Sequence, residues 1–208
     1  MKLYYSTGSC SLSPHIALRE AGLDFELIKV DTIKHTYGDN LDYYKVNELG
    51  YVPVLQLDNG NVLREGAVII QYIADLAPKS GLAPLFGTIE RYKLMEWLSF
   101  LSSEIHKGFI PLFYGNKSGV YLDIAKPKLI SRFQWIDDQL AKSDYLTGNK
   151  FTIADCYLFA LTSWASAEWI VSRFNLDIDL NHMKNIESWY KRMLKRPTVI
   201  KSIQVEGI

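Results

Sequence analysis

Met1-Lys2-Leu3-Tyr4-Tyr5-Ser6-Thr7-Gly8-Ser9-Cys10-Ser11-Leu12-Ser13-Pro14-His15-Ile16-Ala17-Leu18-Arg19-Glu20-Ala21-Gly22 is the stretch that decides the fold. Residues 2–5 form a short β-prone run, and residues 8–13 have turn chemistry. Residues 14–21 read as a helix, with Pro14 tolerated in its first turn and Gly22 ending it. A second strand is expected over residues 25–30, which completes a βαβ unit. Beyond an irregular polar stretch at 34–44, residues 52–57 and 61–64 flank Asp58-Asn59-Gly60. This is a hairpin signal, because Asn-Gly accepts the positive φ angles of a tight turn. Glu65-Gly66 then opens a helix over 67–76, whose Ile69, Ile70, Ile73 and Leu76 recur at helical spacing.

Pro78-Lys79-Ser80-Gly81-Leu82-Ala83-Pro84 has linker composition, and after it the periodicity is helical, at about 88–115, 124–142, 153–173 and 183–195. Two domains are therefore expected: an α/β domain over 1–80 and an all-helical domain over 81–208. Thr152 and Asp155 ahead of an apolar run resemble a reciprocal N-terminal cap, in which side-chain oxygens accept from unpaired amides.

The 208 residues, 48% hydrophobic and 22% charged, have the composition of an ordinary globular chain and not of a disordered one. Lys and Arg number 23 and Asp and Glu 23, so the net charge of +0 offers no field for a polyanion, and nucleic acid is not an expected partner. The N-terminal residues lack an apolar leader pattern and nowhere do about 18 apolar residues run unbroken, so neither a secretory leader nor a membrane span is expected, and the expected location is the cytoplasm. Cys10 and Cys156 are too few for a disulfide framework and lack metal-ligand spacing, so each is read as a separate thiol, with no metal.

Cys10 follows a strand through a glycine turn and precedes a helix, where unpaired amides and the helix dipole favour a thiolate. A small buried residue in a tight turn reads equally well from position alone. Ser13 stands where a dithiol site would have its second cysteine, so a reactive Cys10 needs an external thiol. Val52-Pro53 is a place where backbone groups could meet an extended peptide. Glu65-Gly66 could bind a carboxylate on backbone amides and an ammonium group on Glu65, or Glu65 could serve the helix dipole. Cys156, early in an apolar helix, reads as core.

Taken together, Gly8-Ser9-Cys10-Ser11-Leu12-Ser13-Pro14-His15, Gly50-Tyr51-Val52-Pro53, Glu65-Gly66, Glu104-Ile105-His106-Lys107-Gly108-Phe109 and Phe151-Thr152-Ile153-Ala154-Asp155 resemble the bacterial beta-class glutathione S-transferases. The resemblance runs over nearly the whole chain. It implies a thioredoxin-like N-terminal domain, an all-helical C-terminal domain and a homodimer. It further implies glutathione as co-substrate and a small apolar electrophile as the second substrate.

Carried over, the resemblance makes Cys10 and His106 catalytic. The glutathione-binding set is Cys10, His35, Val52 through its backbone, Glu65, Gly66, Ser99, Ser103, Glu104, His106 and Lys107. His35 and Ser99 stand where relatives have lysine and asparagine, and Thr7, Glu48 and Leu49 also depart from the pattern. The leading expectation is conjugation of glutathione to apolar electrophiles, with thiol-disulfide exchange through Cys10 as a second activity. The competing expectation is a ligand carrier or stress-response interaction protein of the same fold without turnover.

Overall fold

Two parallel strands, β1 (Lys2–Tyr5) and β2 (Glu26–Asp31), cannot be joined by a tight turn, and the helix between them, α1 (Leu12–Glu20), makes the crossover. In this computed structural model, which describes residues 1–166, 178–180 and 182–208, β1 is also paired antiparallel with β5 (Val54–Gln56) and β5 with β6 (Val62–Leu63). On the other edge β3 (Thr36–Tyr37) and β4 (Leu41–Asp42) extend β2. The described strands form one mixed sheet in the order β4-β3-β2-β1-β5-β6. The β3–β4 hairpin falls in the stretch expected to be irregular. Its strands are two residues long and show no alternation, so periodicity could not reveal them.

The β5–β6 turn is the expected hairpin, with Asp58-Asn59-Gly60 as a three-residue loop. The amide of Leu57 donates to the carbonyl of Asn61 at 2.8 Å, and only Gly60 of the loop has a positive φ, +85°. The Asn59 carboxamide instead accepts from the Asn61 amide at 3.0 Å, which is the local side-chain bonding that favours Asn in turns.

Helix α1 is buried along Leu12–Leu18 because it packs on α2 (Gly66–Leu76) as well as on a final helix. That helix, α8 (Pro197–Glu206), is absent from the sequence reading, although Pro197 at its first turn and Gly207 in the left-handed conformation after it are the expected start and stop residues. The chain divides into one unit of Met1–Ala83 with Arg196–Ile208 and a second of Pro84–Lys195. The last helix thus packs with the first unit, whereas the sequence reading grouped it with residues 81–208.

The physical reason is a buried polar chain. Arg19 Nε donates to His15 Nε2 at 2.9 Å, so His15 Nδ1 keeps its proton and donates to Glu206 Oε1 at 2.9 Å. Glu206 Oε2 accepts from the Gly8 amide at 3.0 Å. Arg196 adds a bidentate pair to Glu20, at 2.7 and 2.8 Å.

In the second unit the described helices are α3 (Ile89–Phe100), α4 (Lys107–Tyr114), α5 (Leu122–Leu140), α6 (Ile153–Ser166) and α7 (Lys184–Met193). Residues 167–173, the end of the helix expected over 153–173, lie outside the described residues. Leu101–His106 between α3 and α4 is a π-helical stretch, with the Lys107 amide reaching the carbonyl of Ser102. Pro111 lies one turn downstream and has no N–H for the carbonyl of Lys107, which disturbs the ladder at this place. Gly108 lets α4 close on α5, since a Cβ there would lie 2.9 Å from Leu129 Cδ1.

Only half of the expected reciprocal cap forms before α6. The Asp155 carboxylate accepts from the Thr152 amide at 2.9 Å, but the Thr152 hydroxyl donates to the same carboxylate oxygen at 3.2 Å instead of accepting from the helix.

Candidate functional site

The turn that carries Cys10 is tied together by its serines. Ser11 Oγ accepts from the Ser6 amide and donates to the Ser6 carbonyl, both at 3.2 Å, and lies 2.7 Å from Ser9 Oγ. Ser11 therefore braces the loop and leaves the first turn of α1 without a side-chain cap. Gly8 takes a φ of +65°, which a residue with a Cβ adopts at a cost. Cys10 is left 9% exposed, directly before the helix, with its thiol donating to the Val52 carbonyl at 3.6 Å. Ser13, at the place of a second cysteine, is buried and its hydroxyl has no hydrogen-bond partner among the described residues.

Val52 meets Cys10 because the backbone before it is fastened. The Tyr51 carbonyl accepts from Tyr43 Oη at 3.0 Å and from Asn47 Nδ2 at 2.7 Å. Burial pushes the Tyr43 phenol far above its ordinary value, so it stays a donor. The Val52-Pro53 bond is cis. Glu65 precedes α2 with a φ of +65°, uncommon for a residue with a side chain, and Gly66 is the first residue of the helix. Cys10, Val52, Glu65 and Gly66 thus belong to one unit and to its strand-end loops.

His35 is held more tightly than its sequence suggests. Its Nδ1 lies 3.1 Å from the Gly50 carbonyl, and its ring lies 4.6 Å from that of Tyr44 at 31°. A Cβ on Gly50 would come within 2.8 Å of the imidazole, so glycine is required there.

The candidates of the second unit cluster on and around the π-helical stretch, a backbone feature frequent at functional sites. Ser99 is exposed on α3, and Ser103 Oγ donates back to its carbonyl at 3.0 Å. His106 Nδ1 lies 2.8 Å from Tyr157 Oη, and its ring meets Trp164 edge-on at 5.1 Å. Lys107 is exposed. Glu104 is drawn elsewhere, because Arg132 Nε at 2.8 Å and Lys128 Nζ at 3.3 Å share its Oε2, and these hydrogen bonds hold its carboxyl below the usual range.

Sequence reasoning missed Tyr157, which orients His106 from 51 positions away and gives no local signal, and Tyr51, whose hydroxyl donates to Glu65 Oε1 at 2.8 Å. Cys156 is fully buried in α6. Among the described residues no cluster of three or more His, Cys, Asp or Glu is placed to hold a metal ion, and no helix is long and apolar enough to cross a membrane.

Comparison with known proteins finds the family models described as glutathione S-transferase, N-terminal domain, over residues 7–76 and glutathione S-transferase, C-terminal domain, over residues 91–197. The chain is similar to glutathione S-transferase GstA of Escherichia coli O157:H7, 39% identical over 208 residues that cover all of both chains. It is also similar to the structure of a sphingomonad glutathione S-transferase complexed with glutathione, with a TM-score of 0.91, 39% identity and full coverage of both chains. A bacterial beta-class glutathione S-transferase of Sphingomonas chungbukensis matches with a TM-score of 0.91 and 39% identity over 100% of this chain and 99% of that one.

Proposed function

The chain belongs to the glutathione S-transferase family, and on that footing we propose how its residues perform the transfer of glutathione to small apolar electrophiles. It is a glutathione transferase with glutathione as co-substrate. The observation that carries the assignment of residues is the Cys10 thiol lying 3.6 Å from the Val52 carbonyl. An extended peptide bonded to the Val52 backbone would bring its own cysteine beside Cys10. Glu65 takes the ammonium of the γ-glutamyl end, and the first amides of α2, which have no intrahelical partner, take its carboxylate. His106 and Lys107 act on the bound thiol, since a nearby cation or imidazole favours the thiolate. Ser99, Ser103 and Glu104 complete the set, Glu104 through its Oε1, since both of its ion pairs fall on Oε2. The thiolate of glutathione attacks carbon of the electrophile, and holding the two together supplies much of the rate.

Cys10 adds thiol-disulfide exchange. Its thiolate attacks the glutathione sulfur of a mixed disulfide, releasing the other thiolate and forming Cys10-glutathione disulfide. A second glutathione thiolate then frees Cys10 and leaves as glutathione disulfide. With Ser13 in place of a second cysteine, the resolving thiol comes from outside the motif. The enzyme works in the cytoplasm. Retention on immobilised glutathione, with turnover of an aryl halide and of a mixed-disulfide substrate, is the expected result. Retention without either activity would make the protein a carrier.

His35 faces an anionic end of glutathione where relatives have lysine. A lysine there would carry its charge throughout the working pH range, on a longer and freer side chain than the imidazole. His35→Lys is expected to lower the KM for glutathione at pH 8 severalfold with kcat unchanged, since a partly exposed charge contact is worth about 0.2–1 kcal/mol. Coincident constants between pH 6 and 8 would remove His35 from the site.

The second unit exposes Leu85, Phe86, Ile89 and Tyr92 within eight residues of sequence, Phe86 at 77%. Such a concentration of apolar surface marks an interface, and the protein is a homodimer. Sedimentation at micromolar concentration is expected to give twice the mass of the chain, and a stable monomer would overturn this.

A further inference from the structure

Glu65 stands at a place where side-chain freedom works against recognition. It is exposed, its backbone is fixed at a φ of +65°, and its carboxylate can swing on three rotatable bonds. What fixes the carboxylate is Tyr51, whose hydroxyl donates to Oε1 at 2.8 Å. The backbone that carries Tyr51 is fixed in turn, because two donors, Tyr43 Oη and Asn47 Nδ2, grip the Tyr51 carbonyl. The adjacent Arg64 is directed away, with Nε on Asn47 Oδ1 at 2.9 Å and Nη2 3.9 Å from Glu48. The Tyr51 phenol is held above its ordinary value chiefly by its bond to Glu65, so it remains a donor throughout the working pH range.

We infer that Tyr51 is a positioning residue for recognition of the γ-glutamyl end: its hydroxyl anchors Glu65 Oε1 so that Oε2 is presented to the α-ammonium group of the tripeptide. The inference rests on the proposed role of Glu65 in binding glutathione. It assigns a selectivity, in which the enzyme prefers thiol tripeptides with a free α-amino group on the γ-linked residue over those without one. An ammonium group gains from a carboxylate oxygen already aimed at it, because less rotamer freedom is lost on binding. The contact is made alike in ground and transition states, so its loss appears in KM and not in kcat.

The test compares wild type and Tyr51→Phe with two co-substrates, glutathione and the analogue in which a glutaryl group replaces the γ-glutamyl group and so lacks the α-amino nitrogen. Wild type is expected to prefer glutathione. In Tyr51→Phe the KM for glutathione is expected to rise about three- to tenfold with kcat within twofold, while the KM for the glutaryl analogue stays put. A merely structural role would raise both constants together, and a hydroxyl that competes with the ligand would lower the KM for glutathione. Either outcome, or no change, overturns the inference for Tyr51 and leaves the role of Glu65 standing. Wild type without preference between the two co-substrates would remove the Glu65 assignment itself. If Tyr51→Phe unfolds at a lower temperature than wild type, Glu65→Gln and the double variant decide. Tyr51→Phe should then add nothing to the glutathione KM of Glu65→Gln, and independent, additive effects would overturn the coupling.

Discussion

Asp155→Ala is expected to destabilise the protein by about 3–5 kcal/mol and to lower its Tm by roughly 10–15 °C. The carboxylate is fully buried and serves four donors. Oδ1 accepts from the Leu146 amide and Trp189 Nε1, both at 3.1 Å, and Oδ2 from the Thr152 amide at 2.9 Å and the Thr152 hydroxyl at 3.2 Å. One side chain thus fixes the start of α6, the loop before it and the indole of α7. Alanine leaves three N–H groups buried without acceptors, at roughly 1–3 kcal/mol each, while relieving the carboxylate of its own burial.

The pH dependence follows from that burial. Desolvation pushes Asp155 up to about 6 from 3.8, against the hydrogen bonds from Thr152, Leu146 and Trp189 that pull it down. The folded state therefore holds a proton that the unfolded state has released between pH 4 and 6, and this share of the stability is lost as pH rises through that window. The alanine variant has no such group. The difference in unfolding free energy between wild type and variant should be larger near pH 4 than at pH 7, by on the order of 2 kcal/mol, in urea titrations at the two pH values. A constant difference would show that Asp155 is not the titrating group.

What the sequence made legible follows from how far each interaction reaches along the chain. The βαβ start, the helix after Glu65-Gly66 and the helices of the second unit were readable because strand, turn and helix signals lie within a few residues of one another. Helix α8 had its own signals in Pro197 and Gly207. Its place beside α1 rests on Glu206 meeting His15 and Gly8, partners 191 and 198 positions away, and no local pattern encodes that. The site divides in the same way. Cys10, Val52, Glu65 and Gly66 each stand next to a turn or helix start that marks them. Tyr51 and Tyr157 act through side chains that reach another segment, and Glu104 carries a motif position while its carboxylate serves Lys128 and Arg132 of α5.

Cys10→Ser is expected to abolish covalent glutathionylation and to bring thiol-disulfide exchange down to the uncatalysed rate, while binding of glutathione changes by no more than about twofold. The thiol is largely buried, 9% exposed, and stands at the end of a serine-braced turn before α1, where the helix favours its anion. A serine hydroxyl of nearly the same shape keeps the turn but is not a thiolate at neutral pH, so it cannot attack a disulfide sulfur. The tripeptide is gripped elsewhere, by the Val52 backbone and by Glu65 and Gly66, which is why binding and covalent chemistry should separate. Conjugation should persist, because the nucleophile there is the thiolate of glutathione and not of the protein. Wild type incubated with glutathione disulfide should gain one glutathionyl adduct by intact mass, removable with reductant, and the variant none. Cys156, at 0% exposure inside α6, is shielded from glutathione disulfide in the folded chain. An adduct mapped to Cys156 in the folded variant would therefore show that the reactive thiol is misassigned. Parallel loss of binding and conjugation would show instead that Cys10 holds the tripeptide and that the Val52 and Glu65 contacts are secondary.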